Sequence, residues 1–514
     1  MGLVRHATTV GGWTMVSRVV GFARDALIAA TLAAGPVADA FFVALRLPNM
    51  FRSLAAEGAF SAAFVPLFSR RLESEGRRAA LRFAEDVLAI MLAVMFAALI
   101  LAELAMPWLV SAIAPGFADD PDRFRLSVEF SRLTFPYLLC MAVVALLGSV
   151  LNALDRFAAA AAAPILMNLV MIAAIAFFGQ ALETVGHALS WAVAAAGVVQ
   201  LVWLNHCAAR AGVSLRLPVP RLTPGVRRLF VLMVPGILGA GVQQLNLFVS
   251  TIIASFRDGA VSTLYYADRI NQLPLAVIGV AVGVALLPLL SRQIKAGDFA
   301  GAAESQNRAI EFTALLTLPA MAALIAIPLP IVAVLFEHGR FGHEESRATA
   351  AVLAAFAAGL PAYVLVKVLL PAFYARQDIA TPVRIAVVAL IANAILSIVL
   401  VWPFGTVGIA IATAASSWFN AAGLAFILRR RGHFTADSRL KARTARIAAA
   451  AALTGCALYA AAVALSVALA GPLWLQALAL SALVFGGGTF YAVLALAFGG
   501  TRLGELRAMR ARKG

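Results

Sequence analysis

Apolar runs of 18 residues or more follow one another along almost the whole chain. A helix of that length matches a hydrocarbon core of roughly 30 Å, and helices are one of only two structures that satisfy every backbone polar group inside lipid. The other, a closed barrel, needs apolar and polar residues to alternate over segments of about ten, and no such alternation occurs. The 514 residues would suffice for several soluble domains, but 62 % of them are hydrophobic and only 13 % charged. Soluble domains are about 45–50 % apolar and about 25 % charged, so there is too little polar surface here to coat several globules. The expected fold class is all-α, a polytopic integral membrane protein.

Apolar runs and their breakers place fourteen spans, near 8–33, 37–68, 83–113, 127–153, 160–179, 185–206, 228–256, 260–291, 309–336, 348–374, 382–403, 406–428, 447–470 and 474–499. Several exceed about 20 residues, which predicts tilt, bending or projection past the bilayer. Pro48, Pro136, Pro235, Pro274 and Pro361 fall inside spans, where a membrane helix is kinked rather than lost. Arg18, Arg24 and Asp25 interrupt the first run, so it reads as a retained helix and not as a signal peptide.

The basic residues favour one side. Of 41 Lys and Arg, 29 lie in one alternate set of connections, which includes Arg70, Arg71, Arg77, Arg78, the seven from Arg429 to Arg446 and the five from Arg502 to Lys513. The opposite set holds 6: Arg123, Arg125, Arg132, Arg257, Arg340 and Arg347. The positive-inside rule therefore predicts cytoplasmic termini, and it accounts for the net charge of +16 without nucleic acid as a partner. Cys140, Cys207 and Cys456 sit in separate apolar segments with no CxxC spacing, which argues against a disulfide framework or a zinc site.

The chain repeats itself at a period near 220 residues. F-V-A-L-R at Phe42–Arg46 and P-L-F-S-R ending at Arg70 recur as Y-Y-A-D-R at Tyr265–Arg269 and P-L-L-S-R ending at Arg292. P-W-L-V before Gly116 matches P-I-V-A before Gly339, and Arg156 with Pro164 matches Arg376 with Pro382. Six spans per repeat is an even number, so both copies enter the membrane from the same side, as parallel repeats flanking a central cleft. The expected domains are an N-lobe at 1–207, a cytoplasmic linker at 208–227, a C-lobe at 228–431 and two extra helices with a tail at 432–514.

Six basic residues remain within spans: Arg18, Arg24, Arg46, Arg52, Arg269 and Lys367. They are accompanied by Asp25, Asp39, Glu57 and Asp268. A charge at the centre of a membrane helix costs about 2.5–3.5 kcal/mol on insertion scales, so such residues face a watery cavity or pair internally. Arg24 with Asp268, or Asp25 with Arg52, would be pairs that merely join helices, and Lys367 and Asp39 lie near enough to span ends to snorkel. Pairing does not absorb the whole set, because positive groups outnumber negative ones and four arginines crowd the first two spans. Arginine presents a rigid, permanently charged fork suited to phosphate oxygens. A basic cleft in an apolar protein suits an anionic lipid-linked substrate, whose head cannot cross hydrocarbon unaided.

Enzymatic motifs are missing. There is no P-loop pattern, His343-Glu344-Glu345 falls short of H-E-x-x-H, and Gly486-Gly487-Gly488 lies in an apolar span where close helix packing explains it. S-R-V-V-G-F-A-R-D at Ser17–Asp25, A-D-A-F at Asp39, R-L-P-N-M-F-R at Arg46–Arg52, A-E-G-A-F-S-A-A-F-V-P at Ala56–Pro66, Y-Y-A-D-R-I at Tyr265 and F-Y-A-R-Q-D at Phe373 resemble the MurJ (MviN) family. These are bacterial lipid II flippases of the multidrug/oligosaccharidyl-lipid/polysaccharide exporter superfamily. The resemblance covers essentially the whole chain, including the six-plus-six-plus-two arrangement of spans.

The resemblance implies export of lipid II, an undecaprenyl-pyrophosphate-linked peptidoglycan precursor, from the inner to the outer leaflet of the bacterial cytoplasmic membrane by alternating access. The family's functional arginines fall on Arg18, Arg24, Arg52 and Arg269, with Asp25 as acidic partner. Arg46 keeps a basic position of the family, and Glu57 lies where relatives open a lateral portal. Asp39 and Asp268 complete the supporting charges. No cofactor is implied. Some relatives bind sodium in the second lobe, which leaves Na⁺, H⁺ or the membrane potential open as the driving force. Two other classes stay in view. A multidrug exporter of the superfamily would be expected to carry acidic cavities for cationic drugs, and a membrane enzyme acting on polyprenyl phosphates would need metal-ligating carboxylates clustered with the arginines.

Overall fold

A computed structural model describes residues 2–51, 59–179, 181 and 183–501, and among them all regular structure is helical. The first half comprises α1 (Gly2–Leu32), α2 (Pro36–Phe51), α3 (Ala59–Ser74), α4 (Arg77–Ile113), a 3-10 turn at Pro115–Asp119, α5 (Pro121–Thr134), α6 (Tyr137–Ala153), α7 (Phe157–Phe178), α8 (Val185–Arg210) and α9 (Pro224–Ala254). The second comprises α10 (Ala260–Lys295), α11 (Phe299–Ala326), α12 (Pro328–Phe336), α13 (His343–Ala357), α14 (Leu360–Tyr374), α15 (Ala380–Phe404), α16 (Thr406–Arg430), α17 (Ser438–Ala464), α18 (Ser466–Leu469) and α19 (Leu473–Ala497). Ten stretches among the described residues are long and apolar enough to cross a membrane, and they coincide with expected spans three to six and nine to fourteen. Spans one, two, seven and eight fall on α1, on α2 with α3, on α9 and on α10.

The exterior is apolar in a way that water would not tolerate. On α15, Val388, Ile391, Ile395 and Ile398 form an exposed stripe at helical spacing, a surface that acyl chains cover.

Element boundaries carry the repeat further than residue identities do. Span four breaks at Phe135–Pro136 between α5 and α6, and span ten breaks 223 residues later, at Ala358–Gly359 between α13 and α14. Gly116 and Gly339 share that offset but are glycine for different reasons. A Cβ on Gly116 would lie 2.5 Å from the Phe256 backbone nitrogen, whereas Gly339 takes a positive φ of 59°. The turn after each fourth helix also recurs: Asp155 (φ 58°) and Gln377 (φ 60°) are both left-handed, and Arg156 N–H to Leu151 O matches Asp378 N–H to Phe373 O. Structurally, Arg156 thus corresponds to Asp378. The sequence match of Arg156 with Arg376 joins neighbouring, non-equivalent positions of one turn.

Proline breaks are tolerated because neighbours satisfy what they free. Pro48 in α2 has no N–H for the carbonyl of Ala44, and the Thr134 hydroxyl of α5 donates to that carbonyl at 3.3 Å. At the break in span ten, Trp418 Nε1–H donates to Ala358 O at 2.9 Å.

Packing divides the chain into two compact units, Met1–Ser262 and Thr263–Gly514. Within the first, α9 packs on α3 and α4. Within the second, α17 and α19 pack on α11, and Tyr491 Oη donates to Leu315 O at 2.7 Å. Gly487 lies directly against Leu458, which a Cβ would meet at 2.7 Å, while Gly486 and Gly488 face open space. Close packing therefore explains one glycine of the three. Glu311 of α11 ties down the start of α17, pairing with Arg439 and Arg443 at 3.5 Å each and with Arg308, which also holds Asp437.

Asp378, in the turn before α15, accepts from Thr381 N–H at 3.0 Å and from Arg431 Nη1 at 2.6 Å. Partial burial pushes its carboxyl up, but the Thr381 amide, the Arg431 guanidinium and the Thr381 hydroxyl outweigh this and hold it down at about 2. A folded-state value below the ordinary one stabilises above the ordinary value and loses that stabilisation as pH falls through the folded one. The thermal midpoint of the parent in detergent should therefore exceed that of Asp378→Asn above about pH 4, and the gap should close as pH approaches 2. A gap independent of pH would show that the charge on Asp378 is not what matters.

Candidate functional site

In the first unit, α1 packs along α7 and brings Arg24 against it. Arg24 and Asp25 are both buried. The Arg24 fork donates to Asp25 Oδ1 from Nη2 at 2.6 Å and from Nε at 3.0 Å, and to Asn168 Oδ1 from Nη1 at 2.8 Å. Asn168 is fixed in turn by donating from Nδ2 to Ser17 O at 3.1 Å. The polar group thus spans two helices in an apolar bundle, with its acidic member one residue from its basic one. Arg18, lower on α1, is exposed. Arg46 of α2 is half-buried and donates from Nη1 to Leu247 O of α9 at 3.2 Å.

Asp39 is fully buried at the start of α2. It accepts from Gly259 N–H at 2.9 Å, Ser262 N–H at 2.8 Å and Ser262 Oγ at 2.7 Å. It therefore caps the first turn of α10, the helix that goes on to carry Asp268 and Arg269. Asp39 and Ser262 are repeat counterparts, 223 residues apart. Beside them Arg123 is buried, bonds Asp258 Oδ1 at 2.7 Å, lies 3.8 Å from Asp39 Oδ2 and covers the Phe117 ring at 4.3 Å. Three donors thus hold the Asp39 carboxylate in the interior, with the Arg123 guanidinium beside it, and Asp39 does not snorkel.

In the second unit, Asp268 accepts from Gln272 one turn later, and Arg269 stacks on the Tyr265 ring at 4.6 Å. Both are half-buried, and Lys367 is exposed. Arg52 and Glu57 lie outside the described residues.

Two groups resemble metal sites on paper. Glu345 accepts from Gly342 N–H at 3.0 Å and so caps α13, while His343 lies 3.3 Å from Glu337. Glu129, Glu183 and His187 bring three ligand atoms within 4.8 Å of one another, but Arg125 bonds both carboxylates, at 3.0 and 3.1 Å. The guanidinium thus occupies both carboxylates and offsets one of their two charges.

Sequence reasoning named Arg24, Asp25 and Asp39 but not the residues that fix them. Asn168 is one polar residue in an alanine-rich helix. Arg123 was counted only as a flanking charge, although Asp120-Pro121 just before it signals a helix start and so marks the turn on which it sits.

Comparison with known proteins bears on this arrangement as a whole. A family model described as lipid II flippase MurJ matches residues 28–478. A probable lipid II flippase MurJ of Rhizobium meliloti is 45 % identical over 513 residues, covering 99 % of this chain and 96 % of the relative. One of Rhizobium tropici is 47 % identical over 459 residues, covering 88 % and 86 %. Among solved structures, a lipid II flippase MurJ in an inward closed conformation shares the fold with a TM-score of 0.79 at 22 % identity, over 95 % of this chain and 98 % of that one.

Proposed function

The chain belongs to the MurJ family of lipid II flippases, and from that premise we propose how its residues move the substrate. It is a multi-pass membrane protein of a transporter family, not a family of catalysts, and lipid II is its cargo. The multidrug and enzymatic alternatives are not favoured by these relatives. The proposed site is the arginine set Arg18, Arg24, Arg52 and Arg269, which takes the pyrophosphate of lipid II and carries it from the inner to the outer leaflet of the bacterial cytoplasmic membrane by alternating access. Asp25, Asp39, Arg46, Glu57 and Asp268 shape that site. Both termini lie in the cytoplasm in this reading, as the basic connections require.

The observation that supports the site best is Arg24. A guanidinium buried in a membrane bundle, with its fork pre-oriented by Asp25 and Asn168, is a costly feature that packing alone does not call for. It presents donors in the planar geometry that phosphate oxygens match. Depletion of the protein, followed by measurement of lipid II in each leaflet, tests the function: lipid II should accumulate in the inner leaflet. An undisturbed distribution would remove the proposal.

The polyprenyl tail needs a separate path. Outside their contact with α11, α17 and α19 expose Tyr459, Val463, Leu478, Phe485 and Val493, an apolar surface suited to a long hydrocarbon. Photocrosslinkers placed along the tail should label these two helices during transport. Labelling confined to α1–α16 would assign the tail elsewhere.

A further inference from the structure

The hairpin of α15 and α16 carries a basic groove that contains none of the residues proposed to take the pyrophosphate. The two helices are joined through Gly405, and at the far end from that turn they enclose a cavity of about 560 Å³. Its rim is Arg384, Arg430 and Arg431, and its wall includes Val388, Phe419 and Phe426. These three apolar side chains are about half exposed, so the cavity opens sideways onto the lipid-facing surface, where the stripe of Ile391 and Ile395 continues it.

The three arginines are not equivalent. Arg431 is anchored, with Nη1 on Asp378 at 2.6 Å and Nη2 on Thr381 at 3.0 Å. Arg384 and Arg430 have no carboxylate within ion-pair distance among the described residues, and Arg430 lies 5.6 Å from the Phe426 ring. Two exposed cations therefore flank a third that is locked in place, at the mouth of an apolar groove. The same end of the bundle holds the basic run from Arg429 to Arg446, which the positive-inside bias assigns to the cytoplasmic leaflet.

We propose that this groove binds an anionic phospholipid of the cytoplasmic leaflet, with its phosphate between Arg384 and Arg430 and an acyl chain along Val388, Phe419 and Phe426. The charge complement selects the head group. An ammonium-bearing zwitterionic lipid would gain from an acidic partner, and Asp378 at the rim is already paired with Arg431. The apolar wall selects a lipid over a free anion, since inorganic phosphate would leave it uncovered. Basic pockets between membrane helices on the cytoplasmic side are suited to this chemistry. The proposal stands on the groove alone and does not depend on how the central arginines work.

The test uses the full chain in nonionic detergent, titrated with phosphatidylglycerol or phosphatidylcholine and followed by native mass spectrometry. The parent should bind phosphatidylglycerol in clear preference to phosphatidylcholine. Each of Arg384→Gln and Arg430→Gln should weaken that binding about 5-fold, and the two together about 30-fold, with phosphatidylcholine binding unchanged. Gly423→Leu keeps every charge but fills the groove floor, where even a Cβ would lie 3.0 Å from Ile385, and it should weaken phosphatidylglycerol as well. Equal binding of the two lipids by the parent, or undiminished phosphatidylglycerol binding in the double variant, would overturn the site. Full competition by sodium phosphate at matched concentration would reduce it to an anion site, and displacement by undecaprenyl phosphate with tenfold preference would give it to the prenyl carrier; either result overturns the phospholipid assignment. All substituted positions are exposed or line the groove, and equal thermal midpoints in phosphatidylcholine confirm that the variants are folded.

Discussion

Cells that depend on this protein should fail to grow when Arg24, Arg52 or Arg269 is replaced by Ala, with the protein still present in the membrane at near-normal level. Arg24→Lys should rescue poorly. Lysine offers a point charge, whereas Arg24 uses three separate N–H groups on Asp25 and Asn168 and holds its plane in doing so. Arg24→Ala alone also breaks the buried pair with Asp25, which costs about 3–5 kcal/mol, so lost function in that variant has two readings. The double variant Arg24→Ala/Asp25→Ala separates them. It removes both charges, so abundance and thermal midpoint should recover relative to Arg24→Ala while growth does not. Recovery of growth in the double variant would make the pair a structural tie. Full activity of all three single variants at normal abundance would remove the arginine assignment altogether.

The course of the chain was largely legible, because hydrophobic length is a one-dimensional property. The expected spans 185–206, 382–403 and 406–428 lie within a few residues of α8, α15 and α16. What sequence did not show is where a proline ends a helix and where it only bends one. Pro48 sits inside α2, yet Pro136 separates α5 from α6 and Pro328 opens α12. That choice depends on distant partners such as Thr134 and Trp418, which meet freed carbonyls. The charged residues followed the same division. Their rarity in apolar runs marked Arg24 and Asp39, but their partners come from 144 and 223 positions away, and a single sequence carries no sign of that pairing. Asp378 shows the converse. As a carboxylate in the F-Y-A-R-Q-D motif it carries no sign of its role in the sequence, and the structure makes it the cap of α15 and the anchor of Arg431.

Collapsing the membrane potential, with sodium and proton gradients held fixed, should slow flipping. The chain has no P-loop pattern, and the work is proposed to come from the field. A negative interior drives anions outward by about 2.3 kcal/mol per charge per 100 mV. The pyrophosphate of lipid II carries roughly two negative charges, so at about 100 mV its outward passage gains up to ~4–5 kcal/mol. Arginines that move with the head group cancel part of that gain. The return step makes up for it, because the emptied site keeps its surplus positive charge and the same field pulls that charge inward. Both half-cycles run in the productive direction provided the arginines cross the field with the head group bound and return without it. Arg24 bears on this condition directly. Its charge is offset by the adjacent Asp25 at 2.6 Å, so substituting either member changes the charge of the proposed site. Arg269→Gln removes a positive charge from the proposed site and Asp25→Asn adds one, so the two variants should shift the dependence on potential in opposite directions. Rates measured in proteoliposomes at potentials set by potassium and valinomycin would read both effects. A flipping rate indifferent to potential in the parent would point to ion coupling, with Asp39 and Asp268 the carboxylates to substitute first.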